Sequence, residues 1–316
     1  MPRIGHMRLD KLRRVHVQNM VNDIYREQLA KGNDGRATTR NALAGLRKAM
    51  SDAIHNEILP EDRVNPCFKI ELPSEYTREI TPWTRFQILR LLATARRTRY
   101  FALIYIALTS GLREGELCAL KWSDLEIVRF KDKLYLVMHV RRGLITVPKR
   151  FLELAHQKME HVYGPYFFDT PKTKKSLGSL IVGEDSLTVI KAHKVKQESQ
   201  KEKLGNRWQD FDLVFPGLSG IPQRPRNLLR EYKKLIRKAK IPELSFHDLR
   251  DHHSSLLQAR GVELGVVSER LRHSRKSTTA DKYTHVLTER RLEGAMTLSD
   301  LLGSVAGGDV GGNDNK

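Results

Sequence analysis

His273 and Tyr283 stand ten residues apart in "LRHSRKSTTADKYTHV", just beyond a helix-like segment. A phenol ionises near pH ~10 and is a poor nucleophile until other groups assist it. Groups able to assist occur elsewhere in the chain. In "TSGLREGEL", Arg113 opens a helix after Gly111, and Glu116 lies one turn further on, placed to pair with Arg113 or orient it. In "SFHDLRDHH", the spacing of His247 and Arg250 puts both on one face of a helix. Lys172 falls in a polar turn between strands in "DTPKTKKS". Singly, each has a bland explanation. An Arg–Glu pair one helical turn apart is usually a surface pair worth little. A lysine in a hairpin turn is usually solvated, and a histidine near a helix end is often a cap or a satisfied core group.

Together the types match one chemistry. Two arginines can clamp the non-bridging oxygens of a phosphodiester, because the guanidinium fork fits phosphate and keeps its charge. Two histidines can hydrogen-bond the phosphate and move protons. A lysine can protonate a leaving alkoxide, and a tyrosine can attack phosphorus. Phosphoryl transfer depends mainly on positioning and charge stabilisation, so this set requires no metal or other cofactor. The alternative of a metal phosphohydrolase would use His247, Asp248, Asp251, His252 and His253. Consecutive helical residues point in different directions and cannot all meet one ion.

The elements that must position these groups belong to a chain of 316 residues, 40% hydrophobic, with a net charge of +19 and a pI of about 10. That length supports two domains or one large one. The basic surface attracts polyanions, nucleic acid above all, because the charge is spread through segments that should fold. Cys67 and Cys118 suggest neither a disulfide framework nor a zinc site. No apolar run reaches membrane-spanning length, and "MPRIGHMRLDKLRR" lacks a signal-peptide core. A reducing, cytoplasmic setting is expected.

Val17, Met20, Val21 and Ile24 mark one helical stripe, and Ala42, Leu43, Leu46, Ala49, Met50, Ala53 and Ile54 mark a second. The other face of the second helix carries Arg36, Arg40, Arg47 and Lys48, candidate phosphate contacts. Residues 72–82 read as a linker, and Thr84 with Gln87 fits a capping box. "YFALIYIALTSG" reads as a buried helix ended by Gly111. "KLYLVMHV", "GLITVP" and the end of "DTPKTKKSLGSLIV" read as strands, and "NLLREYKKLIRKAKI" as an amphipathic helix. The expected fold is mainly α (α+β). It has a small helical domain over 1–71, a linker over 72–82, a larger mostly helical domain with a small antiparallel sheet over 83–303, and a disordered tail over 304–316.

The ordered run Arg, Lys, His-x-x-Arg, His, Tyr resembles the tyrosine recombinases of the phage-integrase family. The likeness rests on "TSGLREGELCALKWSDL", "PKTKKS", "FHDLRDHHSSLLQARGVELGVVSERL" and "LRHSRKSTTADKYTHV". It implies site-specific DNA recombination through a 3′-phosphotyrosyl intermediate. Tyr283 would be the nucleophile, with Arg113 and Arg250 stabilising charge and Lys172 acting as general acid. His247 would act as base or phosphate donor, His273 would hydrogen-bond the phosphate, and Glu116 would support the arginine helix. The N-terminal segment resembles the family's core-binding domain, here short at its start. The implied partners are double-stranded DNA, further copies of the chain in a homotetramer on two DNA sites (a monomer off DNA), and accessory DNA-bending proteins. The segment "LTERRLEGAMTLSDLLG" is amphipathic through Leu292, Met296, Leu298, Leu301 and Leu302, and could pack on its own domain or on a neighbour.

The sequence departs from the family pattern at several places. Asp251 stands where a histidine is usual, and Arg272 where a glycine is usual, so a positive φ at that position would strain arginine. The hairpin arginine expected near Leu177–Gly178 is missing, and the segment between the first strand and Lys172 is long. A DNA-binding relic or regulator of the same family, and a type IB topoisomerase, are the alternative readings.

Overall fold

The computed structural model describes residues 3–73, 82–169, 178–272 and 295–302. The chain divides into two compact units, Met1–Glu79 and Ile80–Lys316. The expected tail over 304–316 and most of the expected linker over 72–82 lie outside the described residues.

The first unit is built on α1 (Arg14–Ala30) and α2 (Arg36–His55). Their facing stripes, Val17, Met20 and Val21 against Leu43, Leu46, Met50 and Ala53, form a core closed by Leu59 and Cys67. Gly35 starts α2 with φ +76°, and a Cβ there would lie 2.7 Å from Gln28 Cβ, so the turn needs glycine. Ala49 was expected on the buried face but is exposed, and Thr39 is buried in the stripe with its hydroxyl bonded to the Gly35 carbonyl at 2.8 Å. A helical face only one residue wide at each turn leaves Ala49 just outside it.

In the second unit α3 (Arg85–Ala95) begins with the expected capping box: the Thr84 amide donates to Gln87 Oε1 at 2.8 Å and the Gln87 amide to Thr84 Oγ1 at 3.3 Å. Next comes α4 (Phe101–Ser110), buried from Ala102 to Ser110, and then α5 (Glu114–Ala119). Strands β1 (Leu125–Phe130) and β2 (Lys133–Val140) form a hairpin. After β3 (Gly143–Thr146) come α6 (Leu152–Lys158), β4 (Glu160–Tyr163), β5 (Tyr166–Asp169) and β6 (Gly178–Val182). The chain then runs through α7 (Glu184–Leu204), α8 (Pro225–Ala239), α9 (Asp248–Ala259), α10 (Leu264–Arg270) and α11 (Leu298–Leu302).

The fold is mainly α with antiparallel sheet, but the strands form two sheets where one was expected, ordered β1-β2-β6 and β3-β5-β4. The long segment ahead of Lys172 is therefore occupied: β3, α6, β4 and β5 are inserted between β2 and β6, packed around Phe167 and Ala155. Strand β1 shows no clean alternation of burial, and α7 is polar nearly all round past Ile190, so neither leaves a strong periodic signal.

The main core gathers α3, α4, α5, α8 and the inner faces of the first sheet, with Tyr232, Leu117, Met138 and Val182 deep inside. Both Leu298 and Leu301 of α11 are buried against this unit, so the described part of the C-terminal segment packs on its own chain; Leu292 lies outside the described residues. Cys67 and Cys118 are free and buried, and burial raises both thiol pKa values. Among the described residues no helix is long and apolar enough to cross a membrane.

Candidate active site

The site begins where α4 ends. Gly111 terminates that helix in the left-handed region, φ +64°. A Cβ on it would lie 2.8 Å from both His253 Cδ2 and Leu271 Cδ2, so glycine is required by conformation and by space. The next polar residue, Arg113, is the N-cap of α5. Glu116 folds back on it: Oε2 accepts the Arg113 amide at 2.8 Å, and Oε1 accepts Arg113 Nη1 at 3.0 Å. This explains the Arg–Glu spacing, since a carboxylate at that helical position satisfies an otherwise orphaned N–H. Arg113 keeps 42% of its side chain exposed, while Glu116 keeps 11%.

Arg250 enters from α9 and is 3% exposed. Its Nη1 donates to the Gly111 carbonyl at 2.8 Å, and its Nη2 donates to the Leu271 carbonyl. One planar group thus ties the α4–α5 turn to the end of α10. Burial lowers the Arg250 pKa to about 10, Arg113 and Arg272 adding to the effect and Glu116 and Asp251 opposing it. The group remains charged at neutral pH.

His247 is the N-cap of α9, exposed, and its ring has no hydrogen-bond partner among the described residues. Asp251 is also exposed, so its carboxylate is well solvated, although it favours the charged form of Arg250. The neighbouring imidazoles are core groups. His253 Nδ1 donates to the Leu108 carbonyl at 2.8 Å, which leaves Nε2 to accept Arg270 Nε at 3.1 Å. His252 packs edge-on to Trp83. Among the described residues no three His, Cys, Asp or Glu side chains converge as a metal site would need.

Two arginines not among the candidate residues complete the neighbourhood. Arg270 is buried and bridges elements: besides His253, it donates to the carbonyls of Ile181 at 2.7 Å and Thr109 at 3.1 Å. Arg272 donates through Nη2 to Glu116 Oε2 at 2.6 Å. Its φ is +52°, the strained conformation anticipated for arginine at a glycine position. Its Cδ lies 3.1 Å from where a Cβ on Gly178 would stand, beside the place of the missing hairpin arginine. Burial opposes ionisation of Glu116, but Arg272, the Arg113 amide and the Arg113 guanidinium outweigh it and hold the carboxyl below its ordinary pKa.

The structure therefore brings Arg113, Glu116 and Arg250 to one place, with His247 at the start of the helix that carries Arg250. Lys172, His273 and Tyr283 lie outside the described residues. In the first unit, Arg47 donates to the Cys67 carbonyl at 3.1 and 3.2 Å, Lys48 pairs with Asp52, and Arg36 with Asp34 at 3.1 Å; Arg40 is exposed.

Arg113 and Arg272 both pair with the buried Glu116 carboxylate, and Arg250 lies close enough to feel its charge. The sequence model of the phage integrase family matches residues 83–290. The chain is 28% identical to a "Tyrosine recombinase XerC-like" protein of Caldanaerobacter subterraneus subsp. tengcongensis, over 93% of this chain and 73% of that one. It is 26% identical to the ICEBs1 integrase of Bacillus subtilis, over 88% and 69%. In fold it is similar to the Tn1549 transposon integrase in complex with transposon right end DNA, with TM-score 0.65 and 19% identity over 86% of this chain and 81% of that one. A lambda integrase tetramer bound to a Holliday junction gives TM-score 0.51 and 16% identity over 88% and 66%. With well over half of its length matched by that family's sequence model, the chain belongs to the phage integrase family.

Proposed function

We propose that this protein is a site-specific DNA recombinase that cuts and rejoins double-stranded DNA through a 3′-phosphotyrosyl link to Tyr283. The observation that carries the reading is the Arg250 bridge, which sets a second guanidinium against the turn that leads to Arg113. The net charge of +19 supports a polyanionic partner. Membership of the family supports the reaction.

In this reading the phosphodiester lies against the exposed part of Arg113, with Arg250 behind it, so negative charge developing on the non-bridging oxygens meets fixed positive groups. The Tyr283 oxygen attacks phosphorus while the bond to O5′ breaks. The phenolic proton passes to a base, for which the exposed His247 is the candidate, and Lys172 protonates the departing O5′. His273 donates to the phosphate. The 5′-hydroxyl of a partner strand then attacks the phosphotyrosyl bond and releases Tyr283. One phosphoester is exchanged for another, so the sequence of steps consumes no ATP.

Residues 1–71 act in this proposal as a core-binding domain, with Arg36, Arg40, Arg47 and Lys48 as candidate phosphate contacts. Residues 72–82 form a linker and 83–303 the catalytic domain. The same reading includes a tetramer on two DNA sites, accessory DNA-bending proteins and a cytoplasmic location. Tetrameric assembly is supported by the lambda integrase tetramer on a Holliday junction among its structural neighbours.

The test is covalent trapping in EDTA with sheared DNA of the source organism, followed by detergent denaturation and sequencing of the protein-linked ends. Ends joined through a 3′-phosphate, clustered at one sequence and lost in Tyr283→Phe while binding persists, are the expected result. Ends scattered without sequence preference would favour a topoisomerase, and DNA binding without linkage would favour a binding relic or regulator.

A further inference from the structure

Arg272 sits one residue past Leu271, where α10 has ended, and its amide donates to the Glu269 carbonyl at 2.9 Å. A residue that only closes a helix in the left-handed region is best served by glycine, and arginine there is strained. The side chain adds a second cost. It is 6% exposed, and among the described residues Nε and Nη1 have no hydrogen-bond partner. A buried guanidinium with unpaired donors is a poor stabilising device.

The arrangement does accomplish something geometrical. Glu116 receives Arg272 on the same oxygen that caps the Arg113 amide, while its other oxygen holds the Arg113 guanidinium. The carboxylate is thereby fixed from two sides, and the guanidinium of Arg113 with it. Arg272 directly precedes His273 in the sequence. Beside it, Arg250 holds the Leu271 carbonyl. Two charged fasteners therefore join Leu271 and Arg272 to the turn that bears Arg113.

Resting on the recombinase reading above, we propose that Arg272 is a positioning residue for DNA cleavage, acting through Glu116 to set Arg113. The role is distinct from ending a helix, because it depends on the guanidinium and not on the backbone.

The experiment compares wild type, Arg272→Gly, Arg272→Lys, Glu116→Gln and the Arg272→Gly/Glu116→Gln double variant. It measures the single-turnover rate of covalent adduct formation, the DNA concentration at half-saturation and the thermal midpoint. Glycine relaxes the turn, so Arg272→Gly should keep or raise the midpoint and leave half-saturation within about twofold while slowing the adduct step roughly tenfold or more. Arg272→Lys should recover part of the rate. Glu116→Gln should slow the step alone but add little on top of Arg272→Gly, as expected for residues acting through one another. Arg272→Gly reacting at the wild-type rate, or full additivity of the two variants, overturns the proposal and leaves the recombinase reading standing. Absence of adduct from the wild type overturns both.

Discussion

Arg250 donates to the carbonyl oxygen of Gly111 at 2.8 Å, across 139 positions of sequence. The bond spends part of a potential phosphate-binding group on holding the scaffold together. Arg250→Lys keeps the charge but cannot span two carbonyls with one planar fork. One charge-assisted hydrogen bond is worth roughly 1.5–3 kcal/mol, so adduct formation should fall roughly ten- to a hundredfold with DNA binding nearly retained. Single-turnover trapping alongside a binding titration checks this.

Gly111→Ala should destabilise the second unit by roughly 2–4 kcal/mol, from a left-handed φ and from contacts 2.8 Å away on His253 and Leu271. A urea midpoint unchanged from wild type would contradict the close approach.

His252 is buried, and burial lowers its pKa to about 4. Its folded pKa lies below the unfolded value near ~6.5, so the unfolded chain binds the proton first as pH falls. The stability is present above about pH 6.5 and lost between there and about pH 4, by up to roughly 3 kcal/mol for this one group. Among the described residues neither ring nitrogen has a partner, so His252→Phe should match or exceed wild-type stability at neutral pH and flatten the acid limb. His253 and His193, whose pKa values are also lowered first by burial, should keep their share. Thermal midpoints across this range decide the point.

DNA affinity should fall steeply with salt. If six to ten phosphates are contacted, affinity should drop by roughly three orders of magnitude or more between about 50 and 200 mM salt. A titration series that stays flat would remove the basic surface from the explanation of binding.

Much of this molecule was legible in one dimension. The stripes of α1 and α8, the Thr84–Gln87 box, the Gly111 stop and the Arg113–Glu116 spacing depend on neighbours within a turn or two, and local backbone chemistry suffices to read them. The strain at Arg272 was also foreseeable, from a glycine position occupied by another residue. Other features had no local signal. Nothing in the spacing says that strands β2 and β3 part into separate sheets, because pairing partners are chosen by long-range packing around Met138 and Phe167. The adjacent His252 and His253 read as polar, yet both are buried by what α9 packs against. The sequence by itself determined the order and types of the groups suited to phosphoryl transfer. Only the tertiary structure decided that Arg250 grips the carbonyls of Gly111 and Leu271, and that Glu116 is shared between Arg113 and Arg272, because those contacts exist only once α4, α5, α9 and α10 are packed together.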